Sequence, residues 1–237
     1  MEVFFRVKIY NFLKYSTVFM FLFSGALSLM TNTTWAMEFR RIVLKDGIQA
    51  ILAEGDITVG DARKLEVALQ TIERERLGTK ILFLVSYGGL VDEAFKMANI
   101  IENVGVTAVV DRMPCASSCA MVLFISARYR YVTKGGSLGL HTCYLPSTKE
   151  HLPLCNERIK KHALKNGVPW GIVAASTKYK SATQMNWFNA DEAECWGFTR
   201  YPLEVKNKNG SSLIGTCAEE MISEMFGPNS GKRSRRN

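Results

Sequence analysis

Apolar residues change their spacing several times along the chain, and each change marks a predicted element. Lys80–Val85 contains the uninterrupted apolar run ILFLV and is followed by a glycine pair, which is typical of a buried parallel strand. In residues 91–101 apolar side chains recur every three or four positions, as in a helix that packs one face on a core. Val106–Val110 is rich in β-branched residues and predicts another short strand.

The neighbouring segments extend this alternation. Residues 39–53 alternate loosely around Lys45-Asp46-Gly47, which predicts a hairpin. Apolar residues from Asp61 onward have helical spacing, and residues 73–76 are expected to close that helix before Gly78. Residues 117–127 predict a buried helix after a break at Met113-Pro114, and residues 129–133 and 137–141 predict short strands. Alternating strands and helices with short links favour an α/β fold with parallel strands and right-handed crossovers.

The pattern becomes more polar after residue 141. Residues 151–167 predict a lysine-rich helix on the outer face, and residues 168–179 predict a short helix. Asn189, followed by acids, is expected to cap a helix that ends at Gly197. Residues 216–226 predict a last helix.

The first 36 residues have the layout of a secretory signal peptide. Arg6, Lys8 and Lys14 give a basic start, residues 17–30 are uncharged and mostly apolar, and small residues precede the expected cleavage after Ala36. The alternative is an uncleaved segment that anchors the protein in the inner membrane. We therefore expect a signal peptide at 1–36, one folded domain at 37–226 and a basic, disordered tail at 227–237.

The net charge of +8 says little about partners, because much of it lies at the ends of the chain. Four of the positive charges are in the last six residues. A nucleic-acid-binding domain would interleave basic and aromatic residues over its surface. The folded part lacks that pattern, so no nucleic-acid partner is expected.

All six cysteines follow the leader, and an even number in an exported protein predicts disulfides. Spacing does not determine the pairing, although Cys143 with Cys155 is preferred because it would close a short excursion. The cysteine spacings match no zinc motif and the chain has three histidines, so neither a metal nor a cofactor is expected.

Ser118 is a candidate nucleophile because it lies at the start of a predicted buried helix, where free N–H groups could stabilise negative charge. The Gly88-Gly89 corner could bring a second backbone close, since glycine has no Cβ. The simpler interpretation is that Ser117 and Ser118 only cap the helix. Among the histidines, His141 ends an apolar strand and is either a general base or a hydrogen-bonded core residue. His151 and His162 are expected to be solvated.

Several ordered motifs give the chain a family resemblance. SYGGLV (86–91), CASSCA (115–120), Arg130, SLGLH (137–141) and WFNADEAECWGF (187–198) resemble the Clp protease proteolytic subunit of the crotonase-like superfamily. With its leader and its cysteine-flanked serine, the chain is most similar to exported, periplasmic members. The resemblance spans about residues 42–199 and implies a ClpP-like superhelix of repeated β-β-α units.

The resemblance also implies roles for individual residues. Ser118 would be the nucleophile, His141 the general base, and the backbone N–H groups of Gly89 and Cys119 the oxyanion donors. The family's aspartate is missing, and Gln184 or Asn186 occupies that region instead. An amide can orient an imidazole but cannot stabilise its cation as a carboxylate does.

The implied function is an exported serine peptidase or hydrolase acting on peptides or proteins. The alternative is a peptide-binding module that has lost catalysis with the triad acid. Acyl-CoA chemistry and a serine–lysine site, both present in relatives, are less favoured, and a reactive Cys119 thiolate is a further alternative. Assembly into a homo-oligomer is one expectation. No ATPase partner is implied, because no ATP is expected outside the cytoplasm.

Overall fold

The structure is a computed structural model that describes residues 36–145, 147–169 and 184–202. The signal peptide, the predicted helix 216–226, the basic tail and most of the predicted helix 168–179 lie outside the described residues. The account that follows concerns the described part of the chain.

A five-stranded sheet forms the larger layer, in the order β1-β2-β3-β4-β6. The first two strands form an antiparallel hairpin around the turn Lys45–Gly47, as predicted, and the remaining neighbours are parallel. The parallel strand expected at Lys80–Val85 is confirmed between two other parallel strands, although only Leu82 and Leu84 are fully buried and its other residues are half-buried. The five strands are β1 (Glu38–Val43), β2 (Gln49–Glu54), β3 (Lys80–Val85), β4 (Val106–Val110) and β6 (Tyr129–Val132).

A smaller sheet contains β5 (Pro114–Ala116), β7 (Ser137–Leu140) and β8 (Asn186–Phe188), in the order β5-β7-β8. β5 pairs with β7 in parallel, and β7 pairs with β8 in antiparallel register. Sequence analysis treated Met113-Pro114 only as a break and missed β5. A strand of three residues is too short to show a two-residue period, so the pattern could not reveal it.

Besides the 3-10 turn Lys45–Gly47, five helices within the described residues connect or cover these strands. None of those within the described residues is long and apolar enough to cross a membrane. The helices are α1 (Asp61–Gln70), α2 (Val91–Val104), the π-helical α3 (Cys119–Phe124), α4 (Pro153–Lys165) and α5 (Ala190–Cys195).

Helix α1 is shorter than the sequence predicted, because residues 73–76 do not close it. The helix ends at Gln70, and Thr71 donates through its N–H and its hydroxyl to Ala68 O. Glu75 then accepts hydrogen bonds from Leu77 N and from the N–H and hydroxyl of Thr79. The carboxylate thus stabilises a compact loop. If the helix continued through Glu75, the N–H and the hydroxyl of Thr79 would lose this acceptor.

Two helix ends behave as expected. Helix α2 stops at Gly105, whose φ of 73° is in the left-handed region that glycine favours. Helix α5 begins with a capping box: Asn189 Oδ1 accepts from Glu192 N, and Glu192 Oε2 accepts from Asn189 N.

The core lies between the larger sheet and helices α1, α2 and α3. All six residues of α3 are buried, so this helix is surrounded by protein and has no solvent face. Leu82 and Leu84 of β3 and Ala108 of β4 are fully buried in the same cluster. This explains why residues 119–125 lack a polar stripe: a helix covered on all sides is apolar all round.

Glu93, in the first turn of α2, connects two helices. Its carboxylate accepts from the N–H groups of Gly60 (3.1 Å) and Ala62 (2.9 Å) at the start of α1, and from Lys96 Nζ (2.9 Å). The hydrogen bond from Ala62 is the largest of the causes that lower the pKa of Glu93. The α1 N-terminus is therefore capped by a side chain from the neighbouring helix rather than by its own N-cap, Gly60.

The chain after β3 passes unusually close to the segment after β2. Ile57 N donates to Gly88 O (2.8 Å), and Ile57 O accepts from Leu90 N (2.9 Å). A Cβ on Gly89 would lie 2.3 Å from Ile57 O, and the φ of Gly89 is 144°. This contact therefore requires glycine both for space and for backbone conformation.

We predict that Gly89→Ala lowers the free energy of unfolding by more than about 3 kcal/mol, because the new methyl group overlaps backbone atoms that cannot move independently. Gly47→Ala is the matched control, since Gly47 also has a positive φ (75°) but no atom within 4 Å of its Cβ position. It should cost only about 1–2 kcal/mol. Urea denaturation measures both, and equal losses would show that the approach to Ile57 is not tight.

Candidate active site

The carboxyl ends of three strands meet at one place. Beyond β3, Ser86 N donates to Pro114 O and Ser86 O accepts from Ala116 N, so the chain leaving β3 runs beside β5. Ala116 of β5 is in turn paired with Gly139 of β7. Ser118 lies two residues after Ala116, and His141 lies two residues after Gly139. Parallel pairing therefore directs both candidate residues to the same edge.

The turn into α3 is tightly packed. Ser117 has a φ of 55° and donates through its N–H to Gly139 O (2.8 Å). A Cβ on Gly139 would lie 2.8 Å from both the Ala116 Cβ and the Trp187 ring, so this glycine lets β5 and β8 approach β7 closely. The left-handed conformation of Ser117 turns the chain sharply from strand to helix.

Ser118 is the N-cap residue of α3, as the capping interpretation expected, but its side chain does not cap the helix. Its Oγ donates instead to Gly89 O, at 3.3 Å. Ser118 is only 1% exposed. The hydroxyl therefore faces Gly88-Gly89, and the N–H groups in the first turn of α3 receive no hydrogen bond from it.

Two backbone N–H groups beside Ser118 have no acceptor among the described residues. They belong to Gly89 and Cys119, the pair that the family resemblance implied as oxyanion donors. Gly88 O and Leu90 N both bond to Ile57. In a trans peptide group the N–H and the carbonyl point in opposite directions, so the N–H and the carbonyl of Gly89 both point away from Ile57. The carbonyl of Gly89 accepts the hydrogen bond from Ser118 on that side. Gly89 is exposed, whereas Ser118 and Cys119 are buried. Two unpaired N–H groups beside a serine hydroxyl are what an oxyanion hole requires.

A disulfide joins Cys115, at the centre of β5, to Cys119, the first residue of α3. Both cysteines are fully buried, and the bond closes the short loop that contains Ser118. Sequence analysis named both cysteines but did not pair them. In this state Cys119 has no thiolate, so the alternative of a reactive Cys119 does not apply to the disulfide-bonded protein.

The ring of His141 is held by the next residue. Nδ1 lies 2.6 Å from Thr142 O, and the ring packs at 5.2 Å from that of Tyr144. A carbonyl oxygen can only accept, so Nδ1 carries the proton and a neutral ring has its lone pair on Nε2. Burial lowers the pKa of His141, while the Thr142 carbonyl opposes that shift. The neutral base is therefore favoured, in the tautomer that general-base catalysis needs.

Gln184 and Asn186, the candidate third residues, lie in or next to the strand that pairs with the end of β7, near His141. Asn186 is in register with Leu140, the residue before His141, while the exposed Gln184 precedes β8. The one hydrogen bond of His141 within the described residues goes to Thr142 O. Thus a backbone carbonyl, which sequence analysis did not consider, orients the imidazole, and a role for either amide stays a prediction.

Ser118 and His141 are not hydrogen-bonded to each other in this structure. The hydroxyl of Ser118 is directed to Gly89 O, and the protonated Nδ1 of His141 is directed to Thr142 O. In empty active sites such hydrogen bonds are often long and form only with substrate. The predicted catalytic pairing therefore stays a prediction.

The expectation that His162 is solvated is wrong. Its Nε2 lies 2.9 Å from Ser126 Oγ and 3.2 Å from Val122 O, and its ring packs edge-on against Phe95. Because Ser126 Oγ donates to Val122 O, His162 must donate to Ser126, so this pair is not a nucleophile with its base. Burial lowers the pKa of His162. His151 is exposed, as expected.

A second disulfide joins Cys143 to Cys155, the pair preferred from the sequence. It ties the segment after His141 to the first turn of α4. Within the described residues no group of three or more histidine, cysteine or acidic side chains is arranged to hold a metal ion.

Comparisons with known proteins support the fold. No protein-family model matches the chain, and no curated protein matches its sequence. A solved structure does match: a mutant of ClpP1 from Listeria monocytogenes, with a TM-score of 0.50 and 18% sequence identity, over 62% of this chain and 86% of ClpP1. At this identity the likeness shows the fold alone. The chain has a mixed α/β, ClpP-like fold, built from parallel and antiparallel strands.

The two disulfides whose cysteines are both among the described residues allow a matched test of what holds the turn at Ser118 in place. We predict that Cys115→Ala with Cys119→Ala lowers the free energy of unfolding by about 2 kcal/mol, and that Cys143→Ala with Cys155→Ala lowers it by about 3 kcal/mol, because the second pair closes the longer loop. Hydrogen exchange of the amides at residues 117–121 should accelerate only in the first variant. Equal acceleration in both variants would contradict a local role for Cys115–Cys119.

Proposed function

We propose that the protein is an exported serine peptidase or hydrolase whose nucleophile is Ser118. The observation that carries the proposal is the pair of unclaimed N–H groups, on Gly89 and Cys119, beside a buried serine hydroxyl in a ClpP-like fold. If Ser118 served only to cap α3, there would be no need for the Gly88-Gly89 turn or for the unpaired N–H group of Gly89 beside it. We also propose that the domain is a crotonase-like superhelix of β-β-α units.

The proposed chemistry assigns one role to each of these groups. His141 Nε2 takes the proton of Ser118 Oγ as the oxygen attacks the substrate carbonyl carbon, and the resulting oxyanion accepts hydrogen bonds from Gly89 N and Cys119 N. The imidazolium then gives its proton to the leaving group, and water releases the acyl group by the same steps in reverse. The carbonyl of Thr142 keeps the ring in the required orientation throughout.

The missing aspartate sets a limit on this mechanism. A neutral carbonyl orients His141 but stabilises its cation less than a carboxylate would. Turnover should therefore be slower than in a complete triad, and Gln184 or Asn186 would act only by orientation. Ser118 must also become accessible, because a substrate carbonyl can reach its Oγ only when neighbouring groups move apart.

The proposal includes export to the periplasm, directed by a signal peptide at 1–36. Its supports are the basic and apolar leader sequence and the disulfides Cys115–Cys119 and Cys143–Cys155, because disulfides persist in oxidising compartments. The substrate would be a peptide or protein, and assembly into a homo-oligomer stays open.

The pH dependence tests the role of His141. Only the neutral imidazole can accept a proton, so kcat/KM should rise with pH and reach a plateau. Since burial lowers the pKa of His141, the midpoint should lie below about 6.5, the ordinary histidine value. A peptide-hydrolysis profile measures this. His151 is exposed and its Nδ1 lies 3.1 Å from Thr142 Oγ1, a contact that an asparagine amide can replace, so His151→Asn should leave the profile unchanged. A midpoint well above that value would show that His141 is not the base.

A covalent probe tests the nucleophile directly. A labelled fluorophosphonate should modify the purified wild-type protein at Ser118, and Ser118→Ala should lose both labelling and turnover. The matched control is Ser117→Ala, which removes the neighbouring hydroxyl and should keep both. Labelling that persists in Ser118→Ala would place the reactive residue elsewhere, and the proposal would fail.

A peptide-binding module is the second candidate, favoured by a specific observation. Ser118 is buried and donates to Gly89 O, with no hydrogen bond to His141. A module of this kind would bind peptides without labelling by the probe, and binding would be equal in the wild type and in Ser118→Ala.

A further inference from the structure

A group of arginines lines a cavity at the far end of the helix that starts at Ser118. Helical backbone runs over residues 118–126, and the residues that follow open into a cavity of about 400 Å³. Its walls include three arginine side chains, one carboxylate and one hydroxyl: Arg74, Arg128, Arg200, Glu102 and Ser126. The cavity is separated from the candidate active site by the length of that helix.

None of these three arginines forms an ion pair within the described residues. Arg74 donates to Gly78 O, Arg200 donates to Asn166 O, and Arg128 lies over the ring of Tyr129 at 5.6 Å. All three partners are uncharged. The guanidinium groups therefore keep their full charge toward the cavity.

The carboxylate in the wall does not offset this charge. Glu102 accepts from Lys165 Nζ at 2.7 Å and from Asn166 Nδ2 at 3.2 Å, so its charge is already matched by a lysine. The cavity wall thus has an excess of positive charge with no described counterion.

A fourth arginine, Arg130, lies beside Arg200 of the wall. Arg130 is 1% exposed and donates from one terminal nitrogen to Ile125 O and Asn166 O, while its Nε has no partner among the described residues. Burial, with a contribution from the charge of Arg200, lowers the pKa of Arg130 to about 9. Arg130 and Arg200 share the carbonyl of Asn166, so two guanidinium groups converge where no carboxylate of the described residues pairs with them. Buried, unbalanced charge of this kind is costly unless an anion offsets it.

We propose that this cavity is a binding site for a small oxyanion that carries two or more negative charges, as in a phosphate or a polycarboxylate. Guanidinium groups recognise such oxygens through paired, charge-assisted hydrogen bonds. The volume is at the lower end of the range for ligand sites, which suits a small anion. The arginines of the wall would bind the anion, and the charge of the buried Arg130 beside Arg200 would add to the attraction.

Calorimetric titration of the full chain tests the site, with inorganic phosphate and citrate as separate probes at constant ionic strength. We expect at least one of them to bind with a Kd below about 1 mM. Arg74→Gln with Arg128→Gln should weaken binding by at least about tenfold, because both side chains lose the charged fork. Both residues are exposed, so the fold should tolerate the change.

The control has the same net charge. Arg40→Gln with Arg63→Gln removes two exposed arginines that pair with Glu54 and Glu66, away from the cavity wall. Its Kd should stay within about twofold of the wild type, since general screening acts on both double variants alike. A tighter Kd for phosphate or for citrate identifies which source of oxyanion the site prefers. Binding of neither probe, or equal weakening in both double variants, would overturn the proposal.

Discussion

The close approach of two backbones at Gly89 and Ile57 is the constraint on which the candidate site depends. The hydrogen bonds of Ile57 with Gly88 and Leu90 fix the plane of the chain after β3. That plane decides where the N–H and carbonyl of Gly89 point, and so what Ser118 meets. A side chain at Gly89 would separate the two segments and lose both the sheet extension and the corner. Fold and site therefore rest on the same contact.

Long elements with a clear period were predicted well from the sequence. Lys80–Val85 was predicted from its uninterrupted apolar run, and Val91–Val104 from the helical spacing of its apolar residues. The end of α1 was predicted wrongly, because Glu75 serves the Thr79 backbone and hydroxyl instead of a helix turn. That competition depends on a local loop geometry, which residue spacing does not encode.

The sequence indicated the candidate side chains and, through the resemblance, two backbone N–H groups, but not the carbonyl that holds the imidazole. Ser118 and His141 were identified because hydroxyl and imidazole groups at element ends are visible in a sequence. The Thr142 carbonyl that orients His141 has no such signature, since every residue carries a carbonyl. The Cys115–Cys119 bond was missed for a related reason: spacing alone cannot tell which of six cysteines meet. His162 was misjudged because a lysine-rich helix hid the side that packs on α3.

The Glu93 carboxylate has a consequence for how the protein opens. It belongs to α2 but satisfies the N–H groups at the start of α1, so unravelling the first turn of α2 removes the cap from α1. Unravelling α1 in turn leaves a buried carboxylate with fewer donors. Fraying of either helix at this end therefore also destabilises the other helix. The two behave as one cooperative unit, with a shared opening free energy rather than two separate ones.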